Sequence, residues 1–141
     1  MIKFCLTNDS ATMPRKAHET DAGFDVFSIE EVTLHSMQRT LVKTGVRVQL
    51  PVGYHAKICS RSGLALNHGV VVLNAPGIID NEYRGDIGVI LINLGNETVT
   101  IKADSKIAQM IVERDYSHHV VEVDALSDTV RGVGGFGSTG E

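Results

Sequence analysis

The chain has 141 residues, of which 43% are hydrophobic and 21% charged, which fits one globular domain and excludes a mostly disordered chain. Its formal net charge of −4 argues against duplex binding by charge alone, and no apolar run reaches the roughly 18 residues of a membrane helix. Residues 1–10 hold no basic segment ahead of an apolar core, so no secretory signal is expected, and Cys5 and Cys59 form neither a disulfide framework nor a CxxC motif.

Val, Ile and Thr make 38 of the 141 residues, and Trp is absent. β-Branched side chains suit a pleated, half-buried surface, so the composition predicts an all-β domain. Near the start, Asp21-Ala22-Gly23-Phe24-Asp25 sets two carboxylates four residues apart around a glycine. That is too few ligands for a metal site alone, but Mg²⁺ often reaches proteins through substrate phosphates and waters. Residues 46–50 alternate apolar and polar and stop at Pro51-Val52-Gly53, and residues 55–59 resume an extended pattern. Ser60-Arg61-Ser62-Gly63 then opens the one helical stretch, residues 62–68, with Ser62 as N-cap and Gly69 as stop. This turn fits two readings, an ordinary capped turn and an anion site made by amides, the Arg61 fork and the Ser62 hydroxyl.

Residues 70–73 form a short apolar run cut by Asn74-Ala75-Pro76-Gly77, and Gly77 and Gly85 bracket a hairpin-like excursion. Asp80 lies there between Ile78-Ile79 and Asn81-Glu82, a place for an Asx-turn carboxylate or for a general base holding a water. Residues 87–94 are apolar on both alternating faces, as in a strand buried between two layers. Residues 98–102, 107–112 and 120–123 are further runs of this kind, and their close spacing predicts about ten short strands over the chain, the pattern of a sandwich, barrel or jelly roll. The last eleven residues hold five glycines, one cation (Arg131), one ring (Phe136) and two hydroxyls (Ser138 and Thr139). Composition alone favours a frayed tail, while the same residues are parts for a flap over a nucleotide. The six histidines form no metal spacing and read as surface or packing residues. P-loop and GxSxG patterns are absent.

Taken in order, five of these segments resemble the motifs of the trimeric dUTP pyrophosphatase (dUTPase) family. They are residues 21–26, 60–65, 74–85 with Gly-Ile-Ile-Asp-Asn-Glu-Tyr-Arg-Gly at the centre, 104–112 with Ile107-Ala108-Gln109, and 131–140. The resemblance implies an all-β, jelly-roll-like subunit with one very short helix. It implies a homotrimer with shared active sites, a β domain at residues 1–130, and a flexible Gly-rich C-terminal arm at residues 131–141. The implied reaction is hydrolysis of dUTP to dUMP and pyrophosphate with Mg²⁺ on the triphosphate, which keeps uracil out of DNA and supplies dUMP for dTMP synthesis.

The implied roles follow the motifs. Asp80 resembles the carboxylate that deprotonates the attacking water. Asn74 and the backbone of the 74–80 hairpin, Gly77 and Ile79 included, resemble the uracil reader. Tyr83 resembles the ring that packs on deoxyribose, and Phe136 the ring that covers uracil. Arg61, Ser62, Gly63 and Gln109 resemble phosphate contacts, as do Arg131, Gly137, Ser138 and Thr139 of the arm. Asp25 resembles an outer-shell metal partner acting through water. One departure is that Asp104-Ser105-Lys106 stands where the family usually has Gly-Asp-Arg, and Lys cannot reproduce a bidentate Arg fork. A dCTP deaminase of the same fold and a noncatalytic trimeric interaction protein are the alternatives. The expected setting is cytoplasmic or nuclear, with neither nucleic acid nor membrane as partner.

Overall fold

A computed structural model of the chain describes residues 1–116, 118–136 and 138. In chain order its strands are β1 (Lys3–Leu6), β2 (Gly23–Phe27), β3 (Val32–Leu34), β4 (Arg39–Lys43), β5 (Val46–Gln49), β6 (Tyr54–Cys59), β7 (Val70–Val72), β8 (Gly77–Ile79), β9 (Gly88–Asn93), β10 (Val99–Ile101) and β11 (Lys106–Arg114). One helix, α1 (Ser62–His68), lies between β6 and β7. The chain is therefore all-β with one short helix, as its composition predicts.

The strands form a four-stranded sheet in the order β2-β11-β6-β8, a three-stranded sheet β4-β9-β7, and two pairs, β1-β5 and β10-β3. Every pairing is antiparallel. Alternation sets which face goes inward. In β5, Val46 and Val48 are buried while Arg47 and Gln49 face solvent. In β9, Val89, Leu91 and Ile92 are all buried, as expected of a strand apolar on both faces. One core cluster joins the layers. Val26, Ile58, Ala108 and Met110 come from the larger sheet, Val42, Val72, Val89 and Leu91 from the smaller, and Leu34 and Ile101 from the β10-β3 pair. Each such aliphatic side chain contributes about 1.5–3 kcal/mol when fully buried.

A buried amide ties one end of these layers together. Asn93 Nδ2 donates to the Leu34 carbonyl (3.0 Å) and the Glu97 carbonyl (2.7 Å), and its Oδ1 accepts from the Gly95 amide (2.9 Å). The helix stops at Gly69, whose φ of 67° is the left-handed conformation glycine adopts freely, and whose amide donates to Ala65 at 3.0 Å. A Cβ at Gly69 would sit 2.9 Å from the Gly95 Cα, so the site also needs a bare backbone.

Three expectations need correction. Arg61, in extended conformation, occupies the N-cap position in place of Ser62, and no side chain caps the helix. Residues 120–123 form no strand; Val120, Val121 and Val123 are exposed, and among the described residues this alternating run pairs with no strand. The 74–80 segment is not a paired hairpin. β7 bonds to β9 and β8 to β6, so residues 73–76 carry the chain from one sheet to the other. Among the described residues no helix is long and apolar enough to cross a membrane.

Candidate active site

Where the chain changes sheets, the sheets part, and a cavity of about 290 Å³ opens between them. Asn74 lines it, with Gly77 and Ile79 of edge strand β8 on one side and Ile87 and residues 88–90 of β9 on the other, and Ile58 and Val72 also line it. Asp80 and Tyr83 close the rim and are exposed. They share one turn, in which the Tyr83 amide donates to the Asp80 carbonyl at 3.1 Å. The Arg84 guanidinium staples this loop by donating to the Asn81 carbonyl (2.6 Å) and the Tyr83 carbonyl (2.8 Å). Because β8 is an edge strand, one side of its backbone is unpaired by the sheet.

A second cavity, about 350 Å³, lies on the other face of the larger sheet and is lined by Asp25, Arg61, Lys106 and Gln109 with His18, Asp21 and residues around them. Register places its centre. Gln109 of β11 stands opposite Asp25 of β2 and Cys59 of β6, so these three side chains share one face. Asp25 is buried, with Lys106 Nζ 2.7 Å from Oδ2 and Arg61 Nε 3.6 Å from Oδ1. The Arg61 fork donates to the Lys106 carbonyl at 3.1 Å, while its Nε is buried without a hydrogen-bond partner among the described residues. Also in this lining, the His18 amide donates to Asp21 at 2.8 Å and holds that carboxyl below its usual range. The helix of residues 62–68 leaves its first amides without helical partners beside Arg61, and Ser62 and Gly63 are exposed there.

The sequence-predicted residues thus fall into three places. Asn74, Gly77, Ile79, Asp80 and Tyr83 line the first cavity, and Asp25, Arg61 and Gln109 line the second. The two cavities share no lining residue. Arg131, Phe136 and Ser138 lie in the exposed C-terminal segment, where Arg131 Nε donates to the Gly134 carbonyl at 2.9 Å and the Ser138 amide to Gly135 at 3.1 Å. Gly137 and Thr139 lie outside the described residues. Among the described residues no group of three or more His, Cys, Asp or Glu side chains is placed to hold a metal ion.

Comparison with known proteins decides the family. The dUTPase family model matches residues 9–140. The deoxyuridine 5'-triphosphate nucleotidohydrolase of Clostridium novyi is 54% identical over 134 residues, covering 95% of this chain and 94% of that protein. That of Clostridioides difficile is 50% identical over 139 residues, covering 99% and 97%. The chain belongs to the dUTPase family. Its fold is similar to that of a Staphylococcus bacteriophage 80alpha dUTPase solved with dUpNHpp, at TM-score 0.92 and 28% identity, covering 100% of this chain and 99% of that one. A dUTPase from phage phi11 of S. aureus, solved with a structural Mg(II) ion, superposes at TM-score 0.82 and 26% identity over 89% of this chain and 97% of that one.

Family membership gives the departure at residues 104–106 a physical account. Asp104 has φ 60°, the left-handed conformation that glycine adopts without cost and Asp tolerates. It is held there by the Thr12 hydroxyl, which donates to its carboxylate at 2.5 Å, and by its own amide donating to Ser28 at 2.8 Å. Lys106 keeps a cation against Asp25 without the fork of an arginine. Sequence reasoning marked Lys106 as a departure but not as the ion-pair partner of Asp25. It gave no signal for Asp86 and Arg47, which lie 39 residues apart and meet beside Tyr83.

Proposed function

We propose that the protein hydrolyses dUTP to dUMP and pyrophosphate by attack of water on the α-phosphorus, excluding uracil from DNA and supplying dUMP for dTMP synthesis. The observation that carries this reading is the cavity between the sheets, where Asn74, the free side of β8, Tyr83 and Asp80 meet. Backbone donors and acceptors fixed by a sheet read a pyrimidine edge at low entropic cost. Walls of Gly77, Ile79 and Val89 give a slot in which a 5-methyl group meets backbone, which rejects thymine. Cytosine is rejected because its mismatched edge leaves buried groups unpaired. The Tyr83 ring packs on deoxyribose and occupies the space of a 2′-hydroxyl. Asp80, exposed at the rim, holds a water and takes its proton during attack.

Arg61 and Gln109, with the amides and hydroxyl at Ser62 and Gly63, hold the phosphates by charge-assisted bonds. Because Arg61 and Gln109 line the other cavity, a complete site draws on neighbouring chains of a homotrimer. Residues 1–130 are the body of each subunit, and residues 131–141 are the arm of a third chain. Arg131 grips the γ-phosphate, Phe136 covers uracil, and Gly137, Ser138 and Thr139 contact the terminal phosphates. Closure of the arm excludes water and strengthens these contacts. The donor set fits Mg²⁺ carried by the triphosphate. Asp25 Oδ1, 3.6 Å from Arg61 and beyond hydrogen-bond range, is able to accept from a water of the ion's shell. When bound, the ion neutralises phosphate charge and polarises the reacting phosphoryl oxygens. An intracellular setting, cytoplasmic or nuclear, belongs to the same reading.

The test is pyrophosphate release from dUTP, dCTP, dTTP and UTP, with Mg²⁺ and then with chelator, and ammonia release from dCTP in parallel. The reading predicts metal-dependent release from dUTP alone. Ammonia from dCTP supports deamination instead, and activity on none of the four overturns a catalytic role.

A further inference from the structure

Tyr83 is held in place from behind. Its hydroxyl donates to the Asp86 carbonyl at 3.0 Å, bending the ring back over the loop. Gly85 lies directly beneath: a Cβ there would sit 2.6 Å from the Tyr83 Cζ and 3.0 Å from Cε2, so the ring rests on bare backbone. The acceptor residue is anchored in turn. Arg47 Nε, on β5, donates to Asp86 Oδ1 at 2.6 Å, and the Thr7 hydroxyl, just after β1, donates to the same oxygen at 3.2 Å. The next residue is fixed as well, since the Ile87 amide donates to Val46 (2.8 Å) and the Thr44 hydroxyl donates to the Ile87 carbonyl (2.6 Å).

We infer that Arg47 and Asp86 are positioning residues that set selectivity for deoxyribose over ribose, by fixing the Tyr83 ring at the wall of the sugar pocket. This rests on the dUTPase reading above and assigns a residue outside the cavity to its specificity. The physical reason is short. Exclusion of one hydroxyl depends on a wall that does not yield, and an exposed tyrosine tethered only at its Cα yields readily. A brace from Asp86, which lies on the cavity lining, to Arg47 on a neighbouring strand outside it removes that freedom. Arg47 does not line the cavity, so its removal acts on the sugar only through this chain of contacts.

The experiment measures kcat/KM for dUTP and UTP with wild type, Arg47→Ala, Arg47→Lys, Tyr83→Ala and the Arg47→Ala/Tyr83→Ala pair. Where UTP turnover is too slow to read, the affinity ratio of dUMP to UMP by calorimetry reports the same preference. Arg47→Ala is expected to raise relative use of the ribose substrate roughly twofold to fivefold, the scale set by an exposed charged pair. Arg47→Lys is expected to fall between it and wild type. In the Tyr83→Ala background, Arg47→Ala is expected to change nothing further, because the brace then has no ring to hold. An unchanged ratio in folded Arg47→Ala overturns the inference, and so does an equal rise in both backgrounds. Wild type that fails to hydrolyse dUTP defeats the dUTPase reading instead, so the two failures are told apart.

Discussion

Lys106→Met removes one charge and keeps most of the side chain's length. Its partner, Asp25, has a side chain only 10% exposed, and the Lys106 side chain is 37% exposed, with 2.7 Å between Nζ and Oδ2. A fully exposed pair contributes about 0.2–1 kcal/mol, and breaking a buried one costs about 3–5 kcal/mol. This half-buried pair, with Arg61 still 3.6 Å away to offset part of the loss, falls between, at about 2 kcal/mol. For a chain of this size that is a fall in Tm of roughly 4–8 °C. The assay is differential scanning calorimetry at neutral pH and fixed chain concentration, since subunit association also shifts Tm. The cycle is completed with Asp25→Asn and with the double variant. Removing the carboxylate first should abolish most of the cost of Lys106→Met, giving a coupling of roughly 1–2 kcal/mol. Lys106→Arg should restore wild-type stability or exceed it, through the planar fork. An unchanged Tm in Lys106→Met, or additive effects in the double variant, refutes the ion pair as the element that holds Asp25.

Three further outcomes follow from the same geometry. Asp80→Asn should keep nucleotide binding, measured by calorimetry, while hydrolysis falls by roughly 10²–10⁴-fold, the usual scale of a general base; near-normal turnover removes Asp80 from that role. Deletion of residues 131–141 should leave the Tm within about 2 °C, because none of the core cluster lies there, yet cut turnover by at least about tenfold. The Lys57 ammonium, 2.6 Å from Glu113, hydrogen-bonds that carboxyl and lowers its pKa below the ordinary 4.5. A carboxyl depressed by folding stabilises above its unfolded pKa and loses that contribution as pH falls through the folded one. The stability gap between wild type and Lys57→Met should therefore be present above about pH 4.5 and close below it, as read by denaturation across pH.

What the sequence made legible was local. Alternation at residues 46–50 and the double-sided apolar run at 87–94 needed only a period and a burial rule, and Gly69 ended the helix where its freedom at positive φ was required. The motif order named residues that the fold brings to the linings of two cavities. Pairing was not legible. Residues 74–80 read as a hairpin, yet β7 before the turn bonds to β9 and β8 after it to β6, and the cavity opens at this crossing. Alternation in residues 120–123 predicts a strand, but a strand needs a neighbour, and none pairs with this run among the described residues. The Asp25–Lys106 and Arg47–Asp86 contacts join residues far apart in sequence, so no window could reveal them. The strands before residue 46 are short and carry weak alternation, and residues 23–27 drew notice only for Asp25.

If neither cavity is a site by itself, mixing of subunits reveals it. Asp80→Asn and Arg61→Ala chains, each crippled alone, are produced together in equal amounts, purified as one assembly, and assayed with dUTP. If a site takes Asp80 from one chain and Arg61 from another, random assembly gives intact pairs in about one quarter of sites, and activity rises to about that share of wild type. Activity that stays at the mean of the two separate variants means that one chain carries both groups of each site, and contradicts the account.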